Sequence, residues 1–194
     1  LGMLSPRLIA AHMVHLTDEE IALCAERGVA IAHNPTSNMK LASGIAPVQK
    51  LLDAGVTVGI GTDGAASNNK LDMLSETRMG ALLAKVGTLN PVAVPAATAI
   101  RMATQLGADA LHIGDKVGSV SVGKQADLIA VDLAQIETSP SFDPISHIVY
   151  AAGREQVSHV WVNGRNVLRE RQLTTLDEAD LKARADAWRV RILA

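Results

Sequence analysis

The sequence predicts an α/β fold, a parallel sheet built from successive strand, loop and helix units and followed by a smaller β module. Three observations carry this. Short apolar runs recur at "RLIAAHMVHL", "VAIAH" and "VTVGIG", and each gives way to a helical pattern. The polar and titratable residues gather in the loop after each run, at the strand ends where parallel α/β sheets place function. Beyond about residue 112 the texture changes to glycine turns and alternating apolar and polar residues.

Taken in order, the first strand leads to "LTDEEIALCAERG", where Thr17 and Glu20 form a capping box and Gly28 is the stop. The second strand ends at His33, and a polar loop, "NPTSNMKLASG", precedes a helix opened by Pro47 and closed by Gly55. The third strand ends at Asp63; after the loop "GAASNN" a helix is expected from about Leu71 to Lys85, and another over "PAATAIRMATQLGADAL". Three such units cannot close an eight-stranded barrel. Within the β module, Asn163-Gly164 between two alternating runs is a hairpin signal. The closing "DEADLKARADAWRVRIL" is an amphipathic helix that assigns Trp188 to a packed face.

Composition narrows the function classes. Apolar residues make up 48% of the chain, ample for a core, and 18 basic residues stand against 20 acidic ones without a basic stripe, which argues against nucleic acid as a partner. No apolar run approaches the ~18 residues of a membrane span, and Pro6, Arg7 and His12 interrupt the opening, so no membrane partner and a cytoplasmic location are expected. The lone Cys24 lies in a helical apolar pattern and reads as a buried structural thiol. The chain opens on Leu and enters a strand-like stretch almost at once, which suggests a piece of a longer polypeptide.

The stretch "VTVGIGTDGAASNN" poses the main choice. Gly59, Gly61 and Gly64 spell G-x-G-x-x-G, the dinucleotide fingerprint, but no strand with a terminal acid follows at the required distance, Glu76 falls inside a helix, and Asp63 would oppose a pyrophosphate. A metal loop suits the aspartate better, because a carboxylate at a strand end can give one oxygen to a divalent ion and use the other for a water proton. Capping of the next segment is the alternative for Asp63 taken alone. His12 ends a strand two units earlier, so on a closed barrel it and Asp63 would project into one mouth, which favours a site over a core histidine.

On "AHMVHLTDEE", "HNPTSNMKLASGIAPVQKLLDAGVTVGIGTDGAASNN", "MATQLGADAL" and "GSVSVGKQADLIAVD", the chain resembles the amidohydrolase superfamily. Within it, the tetrad "GAAS" after Asp63 points to the 5-methylthioadenosine/S-adenosylhomocysteine deaminases rather than to chlorotriazine hydrolases or guanine deaminases. The resemblance implies the C-terminal part, strands six to eight, of a metal-dependent (β/α)8 barrel plus part of a flanking β-sandwich. It divides the chain into a partial barrel over 1–111, a sandwich portion over 112–172 and a C-terminal helix over 173–194. It implies one zinc, sometimes iron, held in part by Asp63, with Asp63 also shuttling a proton and His12 orienting and polarising the group under attack. The implied reaction is hydrolytic deamination of an adenosine-type small molecule to an inosine-type product and ammonia. The family's H-x-H and strand-five histidine are absent, so the remainder of the polypeptide is an expected partner, and a homo-oligomer is compatible with the family. The competing expectations are a related amidohydrolase of the chlorotriazine hydrolase or guanine deaminase type and a non-catalytic half-barrel that folds on a partner.

Ser67, four residues past Asp63, has a hydroxyl that could reach a purine ring nitrogen or cap local backbone, and both readings stand open. His33, Asn34 and Asn38 read as structural. Lys40 reads as a solvated charge, Glu76 and Arg78 as residues paired with neighbours, and His15 as a loop or outlying residue. His112, His147 and His159 carry no assigned role.

Overall fold

The structure is a computed structural model describing residues 2–194. Strands β1 (Ile9–Ala11), β2 (Ala30–His33) and β3 (Val58–Ile60) form a parallel sheet in the order β1-β2-β3, with Ala10 opposite Ile31 and Ile31 opposite Val58. The crossovers carry α1 (Asp18–Glu26), α2 (Pro35–Lys40) and α3 (Val48–Asp53), as parallel connections require. Helix α4 (Met73–Thr88) follows β3, then α5 (Ala96–Ala103) and α6 (Gln105–Ala110). Apolar side chains from Ile21, Cys24, Ile31, Leu51, Val58, Ala81 and Met102 build one core between sheet and helices.

The expected local signals hold at several ends. Thr17 accepts from the Glu20 backbone N–H while the Glu20 carboxylate accepts from the Thr17 N–H at 2.8 Å, and Gly28 stops the helix at φ +66°. Cys24 is buried, and burial followed by the nearby Glu20 pushes its thiol pKa up, as befits a packing residue.

Two helical expectations change. The polar loop contains α2, because Pro35 takes the first helical position, where its fixed φ and missing N–H cost nothing. The single helix expected over "PAATAIRMATQLGADAL" is broken at Thr104 (φ −129°, ψ −97°), which lets α6 turn back onto β3. There Gly59 and Gly107 meet so closely that a Cβ on Gly59 would stand 3.0 Å from the Gly107 Cα. Gly61 is equally constrained, since a Cβ there would strike the Asn34 side-chain oxygen. Two glycines of the apparent dinucleotide fingerprint thus serve close packing, and none of them opens a helix: the next, α4, begins at Met73.

The second sheet is antiparallel, in the order β4 (Leu128–Val131), β5 (Val157–Val162), β6 (Arg165–Arg169) and β7 (Gln172–Leu173). Asn163 and Gly164 both take positive φ in the two-residue turn joining β5 to β6. Helix α7 (Pro144–Tyr150), from the same stretch of chain, packs on α4 and α5, and the Arg78 guanidinium fastens it by donating to the carbonyls of Val149 and Ala152. In α8 (Glu178–Leu193) no residue is buried. Trp188 is 60% exposed, with the Arg191 guanidinium over its ring, so the packed role expected for it is not observed among the described residues. Among the described residues no helix is long and apolar enough to cross a membrane.

Candidate active site

The carboxyl ends of the parallel strands bring four side chains together. His12 directly follows β1, and Asp63 lies three residues beyond β3. Both adopt left-handed backbone, at φ +69° and +61°, in a region that non-glycine residues occupy only when their surroundings hold them there. The His12 N–H still donates to the Ala32 carbonyl and the Gly61 N–H to that of His33, so the sheet pairing runs right up to the site. His12 Nε2 stands 3.7 Å from Asp63 Oδ2, and the two side chains are 39% and 36% exposed: reachable, yet anchored.

Helix α2 supplies the other two groups. Ser37 donates its hydroxyl to Asp63 Oδ2 at 2.6 Å, and Asn38 presents its amide oxygen to His12 Nδ1 at 2.8 Å. This contact fixes the orientation of the His12 ring, with Nδ1 turned to Asn38 and Nε2 turned toward Asp63 and the open site. Ser67 also donates to Asp63 Oδ2, at 2.8 Å, and the Gly64 N–H donates to Oδ1 at 2.8 Å. The Ser67 hydroxyl also lies 3.2 Å from the Gly64 carbonyl, so its contacts are with the carboxylate and with local backbone. The Ser37, Ser67 and Gly64 hydrogen bonds, with a smaller contribution from His12, hold the Asp63 pKa at about 2, below its ordinary 3.8, against the opposing effect of desolvation. Asp63 is therefore an anion throughout the neutral range, as a carboxylate that binds a cation must be.

Behind these residues, Glu76 of α4 is 1% exposed and joins the two supporting segments. Its Oε2 accepts from the Thr36 N–H at 3.0 Å and its Oε1 from Asn68 Nδ2 at 2.8 Å, while Asn68 Nδ2 also donates to the Thr62 carbonyl. Lys40 is not a free solvated charge: its ammonium donates to the Ala66 carbonyl and to Asn69 Oδ1.

Sequence reasoning singled out His12, Asp63 and Ser67, and all three meet here. It missed Ser37 and read Asn38 as structural, because "NPTSN" was taken for loop. The signal that could have found them is Pro35 at a helix start, which puts Ser37 and Asn38 at the mouth end of a short helix. Asn34 bonds locally to the Ala32 carbonyl, and His15 is exposed. His112 bonds the Pro6 carbonyl, His147 the carbonyl of Asp143, and His159 stacks on Trp161, all away from this cluster.

His33 is a different case. It is 1% exposed, and neither ring nitrogen has a hydrogen-bond partner among the described residues. Burial, then the neighbouring His12, lowers its pKa from 6.5 to about 4. Unfolding restores the ordinary value, so the unfolded chain takes up the proton first and stability drops as pH falls from about 6.5 toward about 4. The expected loss is roughly 2 kcal/mol between about pH 7 and about pH 5. Urea midpoints at the two pH values would read it, and His33→Gln should abolish most of the difference. Asp63 contributes in a lower window: its stabilisation is present above 3.8 and is lost as pH falls through about 2.

A separate apolar groove of about 890 Å³ lies between the parallel sheet, α5, α6 and β4–β5, lined by Ile9, Ala32, Gly59, Leu111 and Val160. None of His12, Ser37, Asp63 or Ser67 lines it, and it offers no constellation for chemistry.

As a metal centre, the cluster is partial. Asp63 fits as one ligand, being anionic, accessible and rigidly oriented, but among the described residues no group of three His, Cys, Asp or Glu side chains could hold an ion. The profile of the Amidohydrolase family matches residues 1–167. The chain belongs to the amidohydrolase family. It is 50% identical over 184 residues to a 5-methylthioadenosine/S-adenosylhomocysteine deaminase from Syntrophobacter fumaroxidans, covering 95% of this chain and 42% of that protein. Among solved structures, an adenosine deaminase from Xanthomonas campestris with bound zinc is 53% identical with a TM-score of 0.97, over 98% of this chain and 44% of that one. A zinc complex of an atrazine chlorohydrolase from Arthrobacter aurescens is 32% identical with a TM-score of 0.90, over 96% and 41%. This amidohydrolase chain thus spans less than half the length of the relatives it matches.

Proposed function

We propose that the chain is the C-terminal part of a zinc-dependent deaminase acting on 5-methylthioadenosine or S-adenosylhomocysteine, with β1, β2 and β3 as strands six to eight of a (β/α)8 barrel. In this reading residues 1–111 belong to the barrel, 112–172 to the flanking sandwich and 173–194 to a terminal helix. The observation that carries it is the approach of His12 to Asp63, 3.7 Å apart at the same end of a parallel sheet, from strands with one strand between them. The open apolar groove supports a larger assembly, since a face of this kind is ordinarily covered.

Zinc, when bound, lowers the pKa of water toward neutrality. The chain's own residues supply the rest. Asp63 would hold the ion through one carboxylate oxygen, and as an anion at neutral pH it is the group that could take a proton from water and return it to the leaving nitrogen. His12, held through Nδ1 by Asn38, turns Nε2 toward the open site, where it would orient the group under attack. Ser37 and Ser67 hold the Asp63 carboxylate in place through Oδ2. The remaining metal ligands would come from the rest of the polypeptide.

Identity favours an adenosine-type substrate over a chlorotriazine, at 53% against 32% to the two solved zinc proteins. The test is product analysis on the complete polypeptide with methylthioadenosine, S-adenosylhomocysteine, guanine and a chlorotriazine. Ammonia and an inosine-type product from the first two, lost on chelation and restored by zinc, is the expected result. Chloride release, or ammonia from guanine alone, would move the chain to a different branch of the family. A native species near 20.4 kDa without zinc would instead support a non-catalytic half-barrel.

A further inference from the structure

Helix α2 has a role that the pairing of His12 with Asp63 does not by itself require. Ser37 and Asn38 are consecutive, nearly fully buried at 0% and 1% exposure, and each touches a different member of that pair. The helix is tied down at both ends on the segment that carries Asp63. At its start the Thr36 N–H donates to Glu76, which also holds Asn68; at its end the Lys40 ammonium grips Ala66 and Asn69. The chain beyond it is fixed too, as the Ser43 N–H donates to the Asn38 carbonyl at 2.8 Å.

We propose that Ser37 and Asn38 are positioning residues of the reaction, and that α2 acts as a spacer setting the separation and mutual orientation of His12 and Asp63. This rests on the functional reading above for the roles of those two residues. Without Asn38 the His12 ring would lose the 2.8 Å contact that holds its orientation and be free to turn about its side-chain bonds. Without Ser37, Asp63 Oδ2 would keep only the more exposed Ser67 hydroxyl, and the direction of its lone pairs would no longer be set by two donors from different segments. Residues that hold a site's ligands and bases in this way ordinarily matter about 10–100-fold.

The test uses the complete enzyme with Ser37→Ala, Ser37→Thr, Asn38→Ala and Asn38→Asp. Asn38→Asp keeps the accepting oxygen and Ser37→Thr keeps the hydroxyl. The expected result is a kcat about 10–100-fold lower in each alanine variant, with KM within about threefold, near-normal kcat in the threonine variant and, in the aspartate variant, which keeps the oxygen but adds a buried charge beside His12, a kcat above that of Asn38→Ala. Crystal structures of the alanine variants should show the His12 ring turned or the Asp63 carboxylate rotated, with the Nε2 to Oδ2 distance changed from 3.7 Å. Unaltered kcat in the alanine variants, or loss as deep in the conservative variants as in the alanine ones, would overturn the proposal. If the alanine variants do not fold, the conservative pair decides. Should the unaltered enzyme release no ammonia from methylthioadenosine, the functional reading fails on its own, and the spacing in the crystal structures still tests α2.

Discussion

Asp63→Asn in the complete enzyme is expected to lower kcat by about 10²–10⁴-fold, the range associated with losing a positioned proton-transfer group, and to reduce bound zinc as well. The amide is nearly isosteric, so the loop need not collapse. Its single oxygen can still accept from Ser37 and Ser67, but its N–H2 must then face the Gly64 N–H, two donors opposed where a carboxylate now accepts. Charge is the larger loss. The three donors around Asp63, led by Ser37, keep it ionised down to about pH 2, so at neutral pH the wild-type site always presents an anion and the variant never does. Steady-state kinetics together with zinc content by elemental analysis would read both effects. A variant that kept its kcat and its metal would remove Asp63 from the chemistry.

How much of this was legible in the sequence depended on whether a residue acts through its own segment or through a distant one. The three parallel strands, the capping box at Thr17 and the Asn163-Gly164 hairpin were readable because each is specified within a few neighbouring residues. His12, Asp63 and Ser67 were readable because strand ends in a parallel sheet are where polar residues have work to do. Ser37 was not, since its importance lies in a hydroxyl reaching 26 residues along the chain to Asp63, and nothing within "NPTSN" announces that contact. Glu76 was recognised as paired with neighbours, but its partners Thr36 and Asn68 are 40 and 8 residues away, which only the fold reveals. Trp188 failed for the opposite reason: helical periodicity reports an apolar face, not what covers it.

Glu76 should be the most consequential of these for stability. Its carboxylate is buried in the first turn of α4, close to the helix N-terminus that favours negative charge, and it satisfies two donors from two segments. Glu76→Ala would leave the Thr36 N–H without its acceptor and Asn68 Nδ2 with Thr62 alone, inside a cavity, at an expected cost of about 2–5 kcal/mol. Glu76→Gln retains an oxygen for one donor but turns an N–H2 toward the other, so about 1–3 kcal/mol is expected. Denaturant midpoints with unchanged m-values would measure both. Activity should decline in the same order, because α2 brings Ser37 and Asn38 to the site while Asn68 fixes the backbone at Thr62, next to Asp63. The pairing of donors, rather than the bulk of the side chain, makes this prediction specific: equal losses in the alanine and glutamine variants would mean that the negative charge alone accounts for the residue, and a glutamine variant as stable as wild type would mean that the second donor contributes nothing.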